Sequence, residues 1–279
     1  FGRLGVKATS GVRLVKGSHI VVPRLYPGDH AYILQQPDGR IVFAIPYQRD
    51  FTEIGTTDIA VEKPEDARID ADEIAYLCDA INGHFVTQIA PGDVVASWSG
   101  VRPLYDDGAS EAKAVTRDYV LELDKDGGAP LLSVFGGKIT TARYLAEDAL
   151  TRIAPLLGTR AREVTRDRAF PGGDIGPFDD FLRRVRERWP FLGAVRSDRM
   201  ARAYGSRLFE MLADVTAAAD LGEDLGHGLT MRELNWLKHR EWARTSEDVL
   251  MRRSKLGLIA DPALSARVDA ALAKAPGAA

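Results

Sequence analysis

Leu131-Leu132-Ser133-Val134-Phe135-Gly136-Gly137-Lys138-Ile139-Thr140-Thr141 is the stretch on which the fold turns. An apolar run of strand character enters two adjacent glycines. A helical pattern follows, with Ile139, Ala142, Ala146, Ala149, Leu150 and Ile153 on one face of a helix expected over about 139–154. Gly-Lys between a strand and a helix invites comparison with a P-loop, and two positions refuse it. Ile139 stands where a magnesium-binding Ser or Thr is required, and Leu132 stands where the first glycine is required. No G-x-G-x-x-G occurs in the chain, so a complete dinucleotide-binding Rossmann half is absent from it. What the stretch offers is close backbone approach at the glycines and free N–H groups at a helix start, a setting for an anion or an electron-rich ring edge. A plain tight turn would use the same residues.

Working outward, the first hundred residues read as strands. Residues 14–23 include the β-branched run Ile20-Val21-Val22, and residues 31–35 and 41–46 flank Pro37-Asp38-Gly39-Arg40, a hairpin signal. Residues 51–57 read as a further strand. Asp70 and Glu73 have capping-box spacing ahead of Ile74, Leu77, Ile81 and Phe85. Strands are expected again at 94–101, 119–123 and 131–135. This is antiparallel patterning, not βαβ alternation. Gly158 and the Arg-rich stretch to Arg168 read as a linker, and from Pro177 on the pattern is helical, with helices expected from 178 to Pro190, at 198–212, 230–243 and 246–255, and a last short one after Asp261.

Composition sets bounds. At 279 residues the chain has room for about two domains. Apolar residues are 45% and charged residues 28%, an ordinary globular balance that excludes disorder. A net charge of −3 supplies no basic field for nucleic acid. Cys78, the single cysteine, excludes an internal disulfide and any multi-cysteine metal site, and it reads as a small buried residue. None of the five histidines pairs at metal-ligand spacing, so no metal is expected. No apolar run approaches the roughly 20 residues that span a bilayer. From Arg183 to Arg207 eight arginines face two acids, which suits an anionic lipid surface but reads first as a solvated face paired with acids elsewhere.

Three further clusters can carry chemistry. Trp98-Ser99-Gly100-Val101-Arg102-Pro103-Leu104 and Thr116-Arg117-Asp118-Tyr119 each hold an arginine suited to phosphate or carboxylate. Lys16-Gly17-Ser18-His19 places an imidazole in a strand. Singly, each could be structural. Taken in order, the chain resembles the FAD-dependent, respiratory glycerol-3-phosphate dehydrogenases. The resemblance runs through residues 11–23, Ile54-Gly55-Thr56-Thr57-Asp58, the two arginine clusters and residues 131–141, and it continues at Glu241-Trp242-Ala243-Arg244-Thr245 and residues 248–257.

The resemblance implies an α+β fold: an antiparallel substrate (cap) domain over 1–95, the return of the chain into an FAD-binding α/β domain over 96–155, a linker over 156–176 and an all-α C-terminal domain over 177–279. It implies that the chain corresponds to the C-terminal portion of such an enzyme, without the N-terminal Rossmann segment, and that alone it is colourless and inactive. Carried residue by residue, it gives His19 as general base, Arg102 and Lys138 in catalysis, and Arg102, Arg117 and Lys138 on the substrate, glycerol 3-phosphate. It gives Gly136, Gly137, Lys138, Ile139 and Thr140 as FAD contacts. It further implies a quinone acceptor, a cytoplasmic location with peripheral attachment to the inner face of the membrane, and compatibility with a homodimer. An oxygen-using flavin oxidase, or an inert dimerisation or docking module, would fit the same residues.

Overall fold

The computed structural model describes residues 10–106, 118–126 and 128–274. The chain divides into two compact units at 166/167. The first is built on an antiparallel sheet. Its strands are β1 (Val12–Pro23), β2 (Tyr32–Gln35), β3 (Ile41–Tyr47), β4 (Phe51–Gly55), β5 (Ile59–Ala60) and β6 (Ala96–Tyr105). The order is β2-β3-β4-β1, with β5 continuing beside β1 and β6 along its other edge. Pro37-Asp38-Gly39 closes the β2–β3 hairpin in the register Gln35–Ile41, with Gly39 at φ 80°. β6 pairs with β1 from Val12–Tyr105 to Val21–Ala96. Residues 96–105, expected at the head of the return segment, are thus a strand of the first sheet.

Helix α1 (Ala71–Asn82) packs Leu77, Cys78 and Ile81 onto Ile20, Val22, Leu34, Val42, Ala44 and Ile54. Its start is set by a reciprocal capping box: the Glu73 N–H donates to Asp70 Oδ1 at 2.9 Å and the Asp70 N–H donates to Glu73 Oε2 at 3.1 Å. Alternation along β1 therefore turns Lys16, Ser18, Ile20 and Val22 toward α1 and leaves Gly17 and His19 on the opposite face. β7 (Tyr119–Asp124) and β8 (Leu131–Gly136) form a separate antiparallel pair. After β8 a single 3₁₀ turn, Ile139–Thr141, precedes α2 (Ala142–Ile153), so the regular helix begins three residues later than its apolar pattern.

The second unit is helical: α3 (Phe178–Arg188), α4 (Gly193–Tyr204), α5 (Arg207–Met211), α6 (Met231–Arg240) and α7 (Pro262–Ala273), with a small hairpin of β9 (Asp224–Gly226) and β10 (Leu229–Thr230). Its core gathers Phe181, Trp189, Met200, Leu208, Leu212, Leu234, Leu237, Leu264 and Val268. The single helix expected over 198–212 is broken at Gly205, whose backbone (φ 53°, ψ −138°) only glycine adopts readily. A Cβ there would come within 1.9 Å of the Gly172 carbonyl oxygen. Gly205→Ala should therefore lower the stability of this unit by about 1–3 kcal/mol, read as a drop in its thermal midpoint; an unchanged midpoint would show that the contact relaxes freely.

The arginines of 183–207 are largely engaged inside the unit. Arg183 pairs with Asp180 and Glu187, Arg196 with Asp224, Arg202 with Asp198 and Arg207 with Glu241. Arg199 forms a two-pronged pair with the fully buried Glu233, both contacts at 2.6 Å. The segment is thus chiefly a paired structural face. Among the described residues no helix is long and apolar enough to cross a membrane.

Candidate functional site

His19 and Arg102 meet on the sheet face away from α1. β1 and β6 place His19 opposite Trp98 and Gly17 opposite Gly100, while β4 places Gly55 opposite His19. The missing side chains at two glycines make the geometry. A Cβ on Gly55 would lie 2.0 Å from His19 Cδ2, so the imidazole lies across the bare backbone of β4. A Cβ on Gly17 would lie 2.4 Å from Arg102 Nη2, so the guanidinium lies across β1 in the same way.

Arg102 Nη1 donates to Asp58 Oδ1 at 2.9 Å and Nη2 donates to Thr56 Oγ1 at 3.2 Å. These contacts fix the plane of the guanidinium, whose side chain keeps 28% of its surface exposed. His19 stacks on Trp98 with ring centroids 5.9 Å apart and 16° between planes, and Tyr47 lies 5.8 Å beyond Trp98. Burial, aided by the positive charge of Arg102, lowers the His19 pKa to about 4. The ring is therefore neutral at pH 7, and its 3.9 Å approach to Glu53 is not an ion pair there. Nδ1 is buried and takes no hydrogen-bond partner among the described residues.

Behind this face lies a buried polar cluster that the sequence reading did not assign. Glu73, 3% exposed, accepts hydrogen bonds from Lys16 Nζ at 2.6 Å, Thr57 Oγ1 at 2.6 Å and Ser18 Oγ at 2.8 Å. Burial pushes its carboxyl up, but those donors and the Asp70 N–H outweigh burial and hold it below the usual carboxylate value. Thr57 Oγ1 accepts from the Ser18 N–H at 3.0 Å, and Ser18 Oγ lies 2.8 Å from Ser99 Oγ on β6. The capping-box spacing pointed to Glu73 only as a helix start. Asp58 and Thr56 lie in the quoted stretch 54–58, and strand pairing makes them partners of a residue 44 and 46 positions away.

The remaining expected positions lie at the strand-to-helix turn. Gly136 (φ 71°) fits closely against Tyr105 and Asp118, and Gly137 (φ 98°) against Leu145 and Tyr119. Both need glycine for backbone reasons. Lys138, Ile139 and Thr140 are exposed, Ile139 by 93%. The Lys138 N–H donates to Thr141 Oγ1 at 3.3 Å, which in turn donates to Lys138 O at 3.0 Å. Arg117 lies outside the described residues. Cys78 is buried, and burial, followed by Asp79 and Asp93, pushes its thiol up, so it is no nucleophile. Among the described residues no cluster of three or more His, Cys, Asp or Glu side chains is gathered as a metal site requires.

Against known proteins, the family model described as FAD dependent oxidoreductase matches residues 2–143. That described as the C-terminal domain of alpha-glycerophosphate oxidase matches residues 163–275. The chain is 47% identical over 265 residues to a glycerol-3-phosphate dehydrogenase of Pseudomonas aeruginosa, covering 94% of this chain and 52% of that protein. It is 43% identical over 251 residues to a D-erythritol 1-phosphate dehydrogenase of Brucella abortus, covering 89% and 50% respectively. Among solved structures, the glycerol-3-phosphate dehydrogenase of Bacillus halodurans complexed with FAD superposes with a TM-score of 0.73 at 26% identity, over 95% of this chain and 52% of that one. The chain spans about half the length of the curated relatives it matches.

Proposed function

The chain belongs to the FAD-dependent oxidoreductases, and on that premise we propose that it serves the oxidation of sn-glycerol 3-phosphate to dihydroxyacetone phosphate, with quinone as the final electron acceptor. The observation that carries the reading is the meeting of a neutral imidazole and a fixed guanidinium on one sheet face. Loss of a proton from the substrate's C2 hydroxyl needs an unprotonated base, and His19 is unprotonated throughout the neutral range. The phosphate, or the C2 oxygen as it gathers charge, needs a cation that does not reorganise, and Arg102 is held by Asp58 and Thr56. Lys138 supplies a second, exposed cation, and Arg117 carries the same assignment. Bound FAD would accept the hydride leaving C2. The turn suits it: Gly136 and Gly137 shape it, and Ile139 and Thr140 stand at a helix N-terminus whose first N–H groups lack intrahelical partners.

A quinone acceptor resides in the bilayer, so the reading includes peripheral attachment at the inner face of the cytoplasmic membrane. The paired arginines of the helical unit are not its support. One relative's name favours a neighbouring reading with D-erythritol 1-phosphate as substrate, and the word oxidase in the description of the C-terminal family model favours one with oxygen as acceptor. The test is holoenzyme turnover of sn-glycerol 3-phosphate against D-erythritol 1-phosphate, with a soluble quinone and with oxygen. Faster turnover of the four-carbon phosphate, or peroxide formation in place of quinol, would replace the corresponding half of the proposal.

The pH dependence follows from His19. Its ring binds a proton at about 4 in the fold and at its ordinary value of 6.5 when unfolded. Between those values the unfolded chain holds more protons, so the fold loses stability as pH falls from about 6.5 to about 4. For catalysis the base stays free over that range, so kcat/KM should hold level from pH 7 to about 5 and fall only near 4. His19→Ala should lower kcat and remove that acidic limb; a limb that persists in the variant would take the base role from His19.

A further inference from the structure

We propose that Glu73 is a positioning residue for the site: from behind the sheet, through Thr57 and Ser18, it sets where Arg102 is held. The claim rests on the reading above for the identity of the substrate, and on geometry for everything else. Glu73 touches none of the residues on the substrate face. It grips instead the residues that alternate with them. Lys16 and Ser18, which donate to its two carboxylate oxygens, flank Gly17, the bed of the guanidinium. Thr57, which donates to Oε1 at 2.6 Å, is flanked by Thr56 and Asp58, both acceptors of the guanidinium. Strand alternation along β1 puts Lys16 and Ser18 on one face and Gly17 on the other, and the 56–58 corner divides likewise, with Thr57 bonded to Glu73 and Thr56 and Asp58 to Arg102.

The Thr57 hydroxyl is the link between the two. It donates to Glu73 and accepts from the Ser18 N–H at 3.0 Å, tying the 56–58 corner to β1. Ser18 Oγ extends the tie to Ser99, three residues before Arg102 on β6. One carboxylate therefore joins α1, β1, the corner after β4 and, by one further step, the strand that bears Arg102. Thr57 is 1% exposed and Glu73 3%, so no water competes for these bonds. An apolar core would hold helix to sheet as well or better. What the carboxylate adds is direction: it fixes the corner in the one placement that presents Thr56 and Asp58 to Arg102.

The experiment uses Thr57, because Glu73 variants also lose stability. Thr57→Val keeps the volume and removes the hydroxyl; Thr57→Ser keeps the hydroxyl. In the holoenzyme, Thr57→Val should raise the KM for sn-glycerol 3-phosphate about tenfold, with kcat within about twofold, while Thr57→Ser stays within about twofold on both. A purely structural threonine would instead lower active enzyme in step with thermal stability and leave KM alone, and that outcome overturns the proposal. Independently of substrate, a crystal structure of Thr57→Val should show the 2.9 Å Arg102–Asp58 contact opened; the contact kept in place overturns the proposal. If the unsubstituted holoenzyme fails on sn-glycerol 3-phosphate yet the contact opens in Thr57→Val, the substrate reading fails and the positioning role stands.

Discussion

Replacing Arg102 with alanine is expected to lower kcat/KM for sn-glycerol 3-phosphate about a hundredfold, close to 2.7 kcal/mol of transition-state stabilisation at about 1.36 kcal/mol per decade. The guanidinium lies flat on Gly17 between two fixed acceptors, so the enzyme does no reorganising to present it. Its loss also removes a fixed cation from beside Asp58, which is 11% exposed. Arg102→Lys should recover little, because an ammonium cannot span Asp58 and Thr56 with a planar fork. A second signature separates this from general damage. Arg102 is one of the two causes that depress the His19 pKa, so the acidic limb of Arg102→Ala should move upward from about 4. A change in kcat/KM below about threefold, under roughly 0.7 kcal/mol, would remove Arg102 from the substrate.

Lys16→Met is expected to destabilise the first unit by about 3–5 kcal/mol, a fall in thermal midpoint of roughly 10 °C. Lys16 and Glu73 are 6% and 3% exposed and 2.6 Å apart. Removing the cation leaves a carboxylate in the core with hydroxyl and amide donors only. The pH dependence gives the sign. In the native chain the Glu73 carboxyl titrates below its ordinary value of 4.5. Its contribution is therefore in place above that value and is lost as pH falls through the lower, folded one. In Lys16→Met burial dominates, the carboxyl rises above its ordinary value, and acidification through that higher value should stabilise the variant. Adding Glu73→Leu should restore most of the midpoint, because a buried ion pair replaced whole by apolar side chains is often neutral or better. Thermal denaturation from pH 7 to 4 reads all three. Equal midpoints for Lys16→Met and the native chain would mean that Glu73 finds water on losing its partner.

Local chemistry in the sequence carried much of this. Pro37-Asp38-Gly39 specified its hairpin, Asp70 and Glu73 specified a helix start, and the double glycine at 136–137 specified a turn, because each is a matter of a few neighbouring dihedrals and hydrogen bonds. His19 within a strand and Arg102 just after one were legible as chemistry-bearing residues, but not as neighbours, and β6 in fact runs on through Arg102 to Tyr105. Their meeting depends on the registers of β1 with β4 and β6, and a shift of one residue would turn either side chain to the other face. Glu73 shows the opposite limit: its local role in the cap was plain and concealed its long-range one. The break at Gly205 escaped because the apolar spacing continues through it. The close approach of Gly172, 33 positions earlier, leaves no room for a side chain at 205, and nothing in the local pattern announces it.

The ten-residue ladder between β1 and β6 also bears on how the chain is made. One edge of β1 meets β4 soon after it is synthesised, but the other must wait until residues 96–105 have emerged. At about 5–20 residues per second that wait is on the order of ten seconds. Throughout it, a strand containing Ile20-Val21-Val22 presents an open row of backbone donors and acceptors, the kind of edge that other nascent chains can join. The strand that carries Arg102 therefore has a second task. By closing that edge it ends an interval in which the growing polypeptide exposes a pairing surface, so the same register that assembles the site also protects the folding chain.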